Sequence, residues 1–137
     1  MDAPLDTLLR LSRTTTSVVR LVDRSLGSLH GLGLSDLALL LELQASPDGR
    51  LRRVELAERL DVTPSGIARQ LGPLERIGVV TRESHPKDAR LALAVLTHAG
   101  DTLATDAAVT AGQAAQRVFD DRWSPDDQRT LQQLVER

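Results

Sequence analysis

The chain has 137 residues, 41% of them hydrophobic, and a formal net charge of −2, a length that suits one domain or one subunit of an intimate oligomer. Phe119 and Trp123 are its only aromatic residues, so the core must be built from Leu, Val and Ala, which favours helices over aromatic-rich sheets. The absence of cysteine excludes disulfides, thiolate metal sites and thiol redox switching; no apolar run approaches the roughly 20 residues of a membrane span, and the N-terminus with Asp2 and Asp6 is not a secretory signal, so the expected location is the cytoplasm.

From Leu5 to Leu29 apolar residues recur at helical spacing. Leu8, Leu11, Val18, Val22, Leu26 and Leu29 share one broad face, with Arg10, Arg13, Arg20 and Arg24 largely off it. Gly31 and Gly33 are expected to end this helix. Ser35 then reads as the N-cap of a helix over Asp36–Gln44, whose Leu37, Leu40, Leu41 and Leu43 point to near-complete burial. Ser46-Pro47-Asp48-Gly49 reads as a turn.

A short helix over Val54–Leu60 follows, its start weakly signalled because Arg52 and Arg53 are not capping residues. Asp61-Val62-Thr63 connects it to the next. Thr63-Pro64 supplies an N-cap followed by proline at the first helical position. Ile67, Leu71, Leu74 and Ile77 form the expected buried stripe, with Ser65, Gly66, Arg69, Gln70 and Arg76 off it. Pro73 removes one backbone donor and Gly72 weakens the same turn, so a kink is expected there. Gly78 terminates the helix.

Val79–Glu83 and Leu91–Leu96 are strand candidates flanking a polar loop over Ser84–Arg90, too long for a two-residue turn and polar enough to protrude as a wing. Thr97 caps a helix over His98–Phe119 with a stripe of Leu103, Ala107, Ala111, Ala114 and Val118. Ser124-Pro125 opens a last helix carrying Leu131, Leu134 and Val135.

A short helix, a tight turn and a capped second helix describe a helix-turn-helix, whose second helix presents its first turns to base edges in the major groove. Arg69 can fork onto guanine and Gln70 can pair with adenine. Ser65 and the Thr63 hydroxyl can reach phosphates, as can free amides at the helix N-terminus, and Gly66 permits close backbone approach. Two helices of this kind are also common as plain surface elements with solvated polar side chains. The neighbouring wing decides between the readings. It concentrates Arg82, His85, Lys87 and Arg90, and residues 50–90 carry nine basic against six acidic side chains while both flanking segments are net acidic. An arginine at the tip suits the narrow minor groove of A·T-rich DNA, and Asp88 stands where it can hold that guanidinium.

Val54-Glu55-Leu56-Ala57-Glu58-Arg59-Leu60, Thr63-Pro64-Ser65-Gly66, Leu74-Glu75-Arg76-Ile77-Gly78-Val79-Val80 and the run from His85-Pro86-Lys87-Asp88-Ala89-Arg90 to Leu96-Thr97-His98-Ala99-Gly100 together resemble the multiple-antibiotic-resistance regulator (MarR) family. The match covers about residues 34–100, with Asp88-x-Arg90, Leu96-Thr97 and Gly100 answering the family's wing motif. The resemblance implies a mainly α winged helix-turn-helix protein with a small β-hairpin wing and long N- and C-terminal dimerisation helices. It divides the chain into a dimerisation helix over 1–34, a DNA-binding lobe over 35–97 and dimerisation helices over 98–137. It also implies a homodimeric, ligand-responsive regulator of transcription, a repressor on a pseudopalindromic operator. Ser65 and Arg69 would read bases, Arg90 would enter the minor groove and Asp88 would orient it; Thr63, Gly66, Gln70, Arg76, Arg82, His85 and Lys87 complete the expected double-stranded DNA contact set. The rival from another class is a winged-helix protein-interaction module without specific DNA binding.

Other chemistry is thin. His30, His85 and His98 are scattered with no carboxylate cluster at ligand spacing, so no metal or cofactor is expected. His30 reads as a solvated or capping histidine rather than a cavity wall, and Trp123 as a core or interface anchor. No phosphate loop, nucleophile elbow or pair of catalytic acids is present, and the chain does not read as an enzyme. No residue is assigned to an effector.

Overall fold

The structure is a computed structural model that describes residues 2–137, the Ala89 side chain excepted. Among the described residues six α-helices and three strands follow one another: α1 (Ala3–His30), α2 (Leu34–Gln44), β1 (Arg50–Arg52), α3 (Arg53–Arg59), α4 (Pro64–Arg76), β2 (Val80–His85), β3 (Asp88–Leu96), α5 (His98–Arg122) and α6 (Pro125–Val135). None of the helices alone is long and apolar enough to cross a membrane. The chain divides into two compact units, one formed by the segments up to Gly31 and from Val109 onward, the other by Leu32–Ala108.

The first unit brings the two ends of the chain together. α1 starts where the Asp2 carboxylate accepts from the Leu5 amide at 3.0 Å and stops where Gly31 turns left-handed at φ 69°. α6 starts on the Ser124 hydroxyl, which accepts from the Asp127 amide. Arg122 on α5 donates to the Ser17 hydroxyl of α1 at 2.6 Å, and His30 and the Thr110 hydroxyl share a hydrogen bond of 2.8 Å. Val22, Leu26, Ala111, Ala114 and Val118 are buried. Leu8, Leu11, Leu29, Leu134 and Val135 remain exposed, Leu8 by 60% and Leu11 by 55%. Phe119 and Trp123 meet edge-to-face at 5.6 Å, beside an open groove of 920 Å³ running along α1, α5 and α6.

In the second unit α2 packs on α3, β1 and β3, α3 on α4, and α4 on β2. Leu37, Leu39, Leu40, Leu43, Leu56, Ile67, Leu71 and Val80 are almost wholly buried and form its core. The sheet has the order β1-β3-β2, antiparallel throughout, with Leu51 opposite Ala94 and Arg82 opposite the same residue from the other side. The turn over Pro47–Gly49 leads into β1 with Asp48 and Gly49 both at positive φ. Gly100, buried in the first turn of α5, has no room for a side chain. An added Cβ would lie 2.0 Å from the Val79 carbonyl oxygen.

Several sequence expectations are corrected. α2 begins at Leu34, not Asp36: Gly33 is its N-cap and the Asp36 carboxylate reaches back to the Gly33 amide at 2.9 Å, so Ser35 lies inside the helix. Within α2 Leu39 joins Leu37, Leu40 and Leu43 in the buried set, whereas Leu41 is only half-buried. Ile77 is 60% exposed, since it is already the C-cap residue of α4 and has left the stripe. Ala104 rather than Leu103 continues the buried line of α5. α4 is a continuous helical run through Gly72-Pro73, with the proline three residues before its last residue, Arg76. The wing departs most. The expected hairpin is closed not by a seven-residue loop but by the two-residue turn Pro86-Lys87, with His85 paired to Asp88. The register breaks between Ser84, paired with Ala92, and His85, so the stretch around Arg90 belongs to β3 yet faces no ladder partner. The strand β1 was not expected at all.

Candidate nucleic-acid interface

The Thr63-Pro64 signal does what its chemistry requires: Thr63 Oγ1 accepts from the Gly66 amide at 3.0 Å, fixing the start of α4. The same hydroxyl lies 3.3 Å from Ser65 Oγ. Gly66 gains a local reason besides access, because a Cβ there would sit 3.1 Å from the capping oxygen. At about 100° per residue, Ser65, Arg69 and Arg76 fall within about 40° of one another, opposite buried Ile67. All three are exposed. Neither Arg69 nor Arg76 has an ion-pair or hydrogen-bond partner among the described residues, so two guanidiniums project from one side of a capped helix with nothing in the fold to hold.

Gln70 is placed differently. It is half-buried and its Nε2 donates to the Ser35 carbonyl on the first turn of α2 at 2.7 Å.

The wing tip carries a third guanidinium, held in place. The Asp88 carboxylate accepts from the Arg90 amide at 3.0 Å and from its guanidinium Nε and Nη2 at 3.2 and 3.3 Å. These bonds, the side-chain ones first, hold the Asp88 carboxyl below the usual carboxylate range, with a smaller contribution from His85. The Arg90 side chain nonetheless stays 90% exposed. Lys87 occupies the turn, and its amide donates to His85 Nδ1 at 3.1 Å. The fold thus gathers His85, Lys87, Asp88 and Arg90 at one end of the hairpin.

Arg82, at the root of the wing, belongs to a cluster the sequence did not single out. Its Nε lies 3.9 Å from Glu75 Oε1 on α4, and Arg53 Nη2 approaches the same oxygen at 3.7 Å. Burial, and next the charge of Arg82, hold the Arg53 guanidinium below its ordinary value, against the pull of Glu75. Across β3, Arg50 of β1 donates to Glu83 of β2 at 2.7 Å. The signal available in the sequence was the basic triplet Arg50, Arg52 and Arg53 around Leu51, without an obvious acidic partner nearby. Among the described residues no group of three or more His, Asp or Glu side chains is placed to hold a metal ion.

Residues 30–91 match a model of the MarR family. The MarR-family transcriptional regulator Sco3205 of Streptomyces coelicolor, solved in complex with DNA, is 29% identical, with 99% of this chain and 86% of that one covered at a TM-score of 0.86. The MarR-family regulator AbsC of the same organism is 24% identical over 98% of this chain and 90% of its own, at 0.83. A mutant MarR of E. coli complexed with operator DNA is 24% identical over 98% and 92%, at 0.81. No curated protein sequence matches the chain. The capped second helix, the hairpin wing, the paired terminal helices and these likenesses agree: the chain resembles the MarR family of winged helix-turn-helix, DNA-binding transcriptional regulators, whose model it matches over residues 30–91.

Proposed function

We propose that the protein is a homodimeric repressor that binds a pseudopalindromic operator and is released by a small-molecule effector. The observation that carries the reading is Arg90, an almost fully exposed guanidinium gripped by Asp88. A cation oriented in advance and left in solvent contributes little to stability but loses little freedom on entering a minor groove. Ser65 and Arg69 face base edges from α4, Arg76, Arg82, His85 and Lys87 meet phosphates, and Thr63 and Gly66 bring the helix start close to the backbone.

Dimerisation is supported by the leucines left exposed along α1 and the apolar end of α6, which a second copy would cover. On this reading residues 1–34 and 98–137 build the dimer and 35–97 read DNA. Two recognition helices on a two-fold axis then meet half-sites about one helical turn, roughly 34 Å, apart. The test is a fluorescence-anisotropy titration on the DNA upstream of the protein's own coding region, with scrambled duplex as competitor. Saturable binding of two protomers per site, together with reduced run-off transcription, is expected. No preference over scrambled DNA at low salt would overturn it in favour of a protein-interaction module, and increased transcription would overturn repression.

A further inference from the structure

Gln70 stands beside Arg69 and is the residue type that reads adenine, yet the fold gives it other work. It lies about 60° from Ile67 on the helix surface, on the flank of the buried stripe, whereas Ser65, Arg69 and Arg76 lie on the opposite side. Its amide donates at 2.7 Å to the Ser35 carbonyl, inside the first turn of α2. Reading adenine needs the amide N–H and C=O turned together toward one base, and here the donor is turned toward the helix behind α4. Pro73 leaves the Arg69 carbonyl without its helical amide, and apart from the Glu75 pairs with Arg53 and Arg82 near its C-terminal end, the anchors of α4 are the apolar contacts of Ile67, Leu71 and Leu74. Such contacts resist lifting of the helix better than its rotation, because apolar attraction is not directional.

We infer that Gln70 is a positioning residue: its bond to Ser35 sets the rotation of α4 against α2 and so aims Ser65 and Arg69, and it reads no base itself. The inference rests on the operator-binding reading above.

The experiment titrates wild type, Gln70→Met, Gln70→Glu and Arg69→Ala on the operator, on a panel of its single-base-pair variants and on scrambled duplex. Methionine keeps the length and loses the donor, and glutamate keeps the shape and meets the Ser35 carbonyl with an acceptor. Gln70→Met should weaken operator binding about three- to tenfold, as loss of one hydrogen bond does, with scrambled-DNA affinity unchanged. For both Gln70 variants the order of preference across the panel should stay that of wild type. Arg69→Ala should relax one position of each half-site. A new preference for cytosine with Gln70→Glu, whose carboxylate accepts from the cytosine amino group, would make Gln70 a base reader and overturn the inference. So would unchanged operator affinity in both variants with only a lower melting temperature, the mark of a merely structural bond. A wild type without operator preference refutes the operator reading by itself, so the two failures are distinct.

Discussion

Replacing Gly100 by alanine sets two effects of known sign against each other. Gly100 is inside α5, where alanine is intrinsically favoured by up to about 1 kcal/mol. The added Cβ, however, would lie 2.0 Å from the Val79 carbonyl oxygen, 3.0 Å from its carbon and 2.7 Å from Leu96 Cδ1. Leu96 can rotate its methyl away; the carbonyl cannot move alone. Carbon and oxygen in weak contact stand about 3.3 Å apart or more, so the Val79 peptide would have to retreat by about 1.3 Å. That carbonyl accepts from the Thr97 amide at 3.1 Å, and the Thr97 hydroxyl donates to the adjacent Gly78 carbonyl at 2.7 Å. Overpacking of this kind costs about 1–3 kcal/mol, and a strained or lost hydrogen bond adds about 1 kcal/mol. After the helix gain is subtracted, Gly100→Ala should destabilise the protein by about 1–3 kcal/mol. Gly112, on the same helix with nothing within 4 Å of an added Cβ, is the control. Its alanine variant should be as stable as wild type or gain up to about 1 kcal/mol. Denaturant unfolding at one fixed protein concentration reads both, since association contributes to apparent stability. A Gly100→Ala protein at least as stable as wild type would refute the close-approach argument.

Arg90→Ala should weaken operator binding with the melting temperature nearly unchanged, and NMR titration should show the Asp88 carboxyl moving part of the way up toward its ordinary range, since the guanidinium donors are lost while the amide of residue 90 still donates. Because that carboxyl is depressed in the folded protein, the Asp88–Arg90 pairing is fully present above the ordinary aspartate range of about 3.9 and is lost only as pH falls through the lower folded value; operator affinity should therefore show no step attributable to Asp88 between about pH 5 and 8. Arg69→Ala should reduce discrimination at one base pair by about 1–3 kcal/mol. Lys87→Ala should instead weaken operator and scrambled DNA alike and lower the slope of log K against log salt by roughly one per subunit; equal losses on both duplexes from Arg69→Ala would remove it from base reading. Leu8→Glu with Leu11→Glu should yield monomer or aggregate in sedimentation velocity, and an intact dimer would place the interface elsewhere.

The sequence was most legible where a single residue pair decides local geometry. Thr63-Pro64, Ser124-Pro125 and Thr97 each combine a hydroxyl acceptor with a helix start, and each caps the helix it announced. Asp88 and Arg90 were paired by proximity in the chain, and the contact is there. What escaped depends on partners distant in sequence. β1 has three residues, too few for alternation to register, and exists because Arg50, Leu51 and Arg52 find Val95, Ala94 and Leu93. The loop of the wing was read as too long because Ser84-His85-Pro86-Lys87 has neither alternating hydrophobicity nor the glycine or asparagine of a tight turn; the outer part of an exposed hairpin needs no apolar face to be paired. Ser35 looked like a cap until Asp36 proved able to reach Gly33, and the bond from Gln70 to the Ser35 carbonyl joins residues 35 positions apart. Glu75 carries no signal of its own in the sequence, although two arginines from other elements converge on it.

The hairpin is held unevenly along its length. β3 has a neighbour on both sides only over Leu93–Val95; farther out it has β2 alone, and beyond the Ser84–Ala92 pair the register breaks before the turn. Mechanically this is a beam clamped at its root and progressively more compliant toward its free end. Arg90 rides on the compliant part, while the root abuts the Val79–Gly100 contact, where there is no slack to deform. On the operator-binding reading, a load applied at the tip by a narrow or a wide groove would be absorbed before it reaches α5, so that duplexes of different shape would meet a wing that bends over a core that does not.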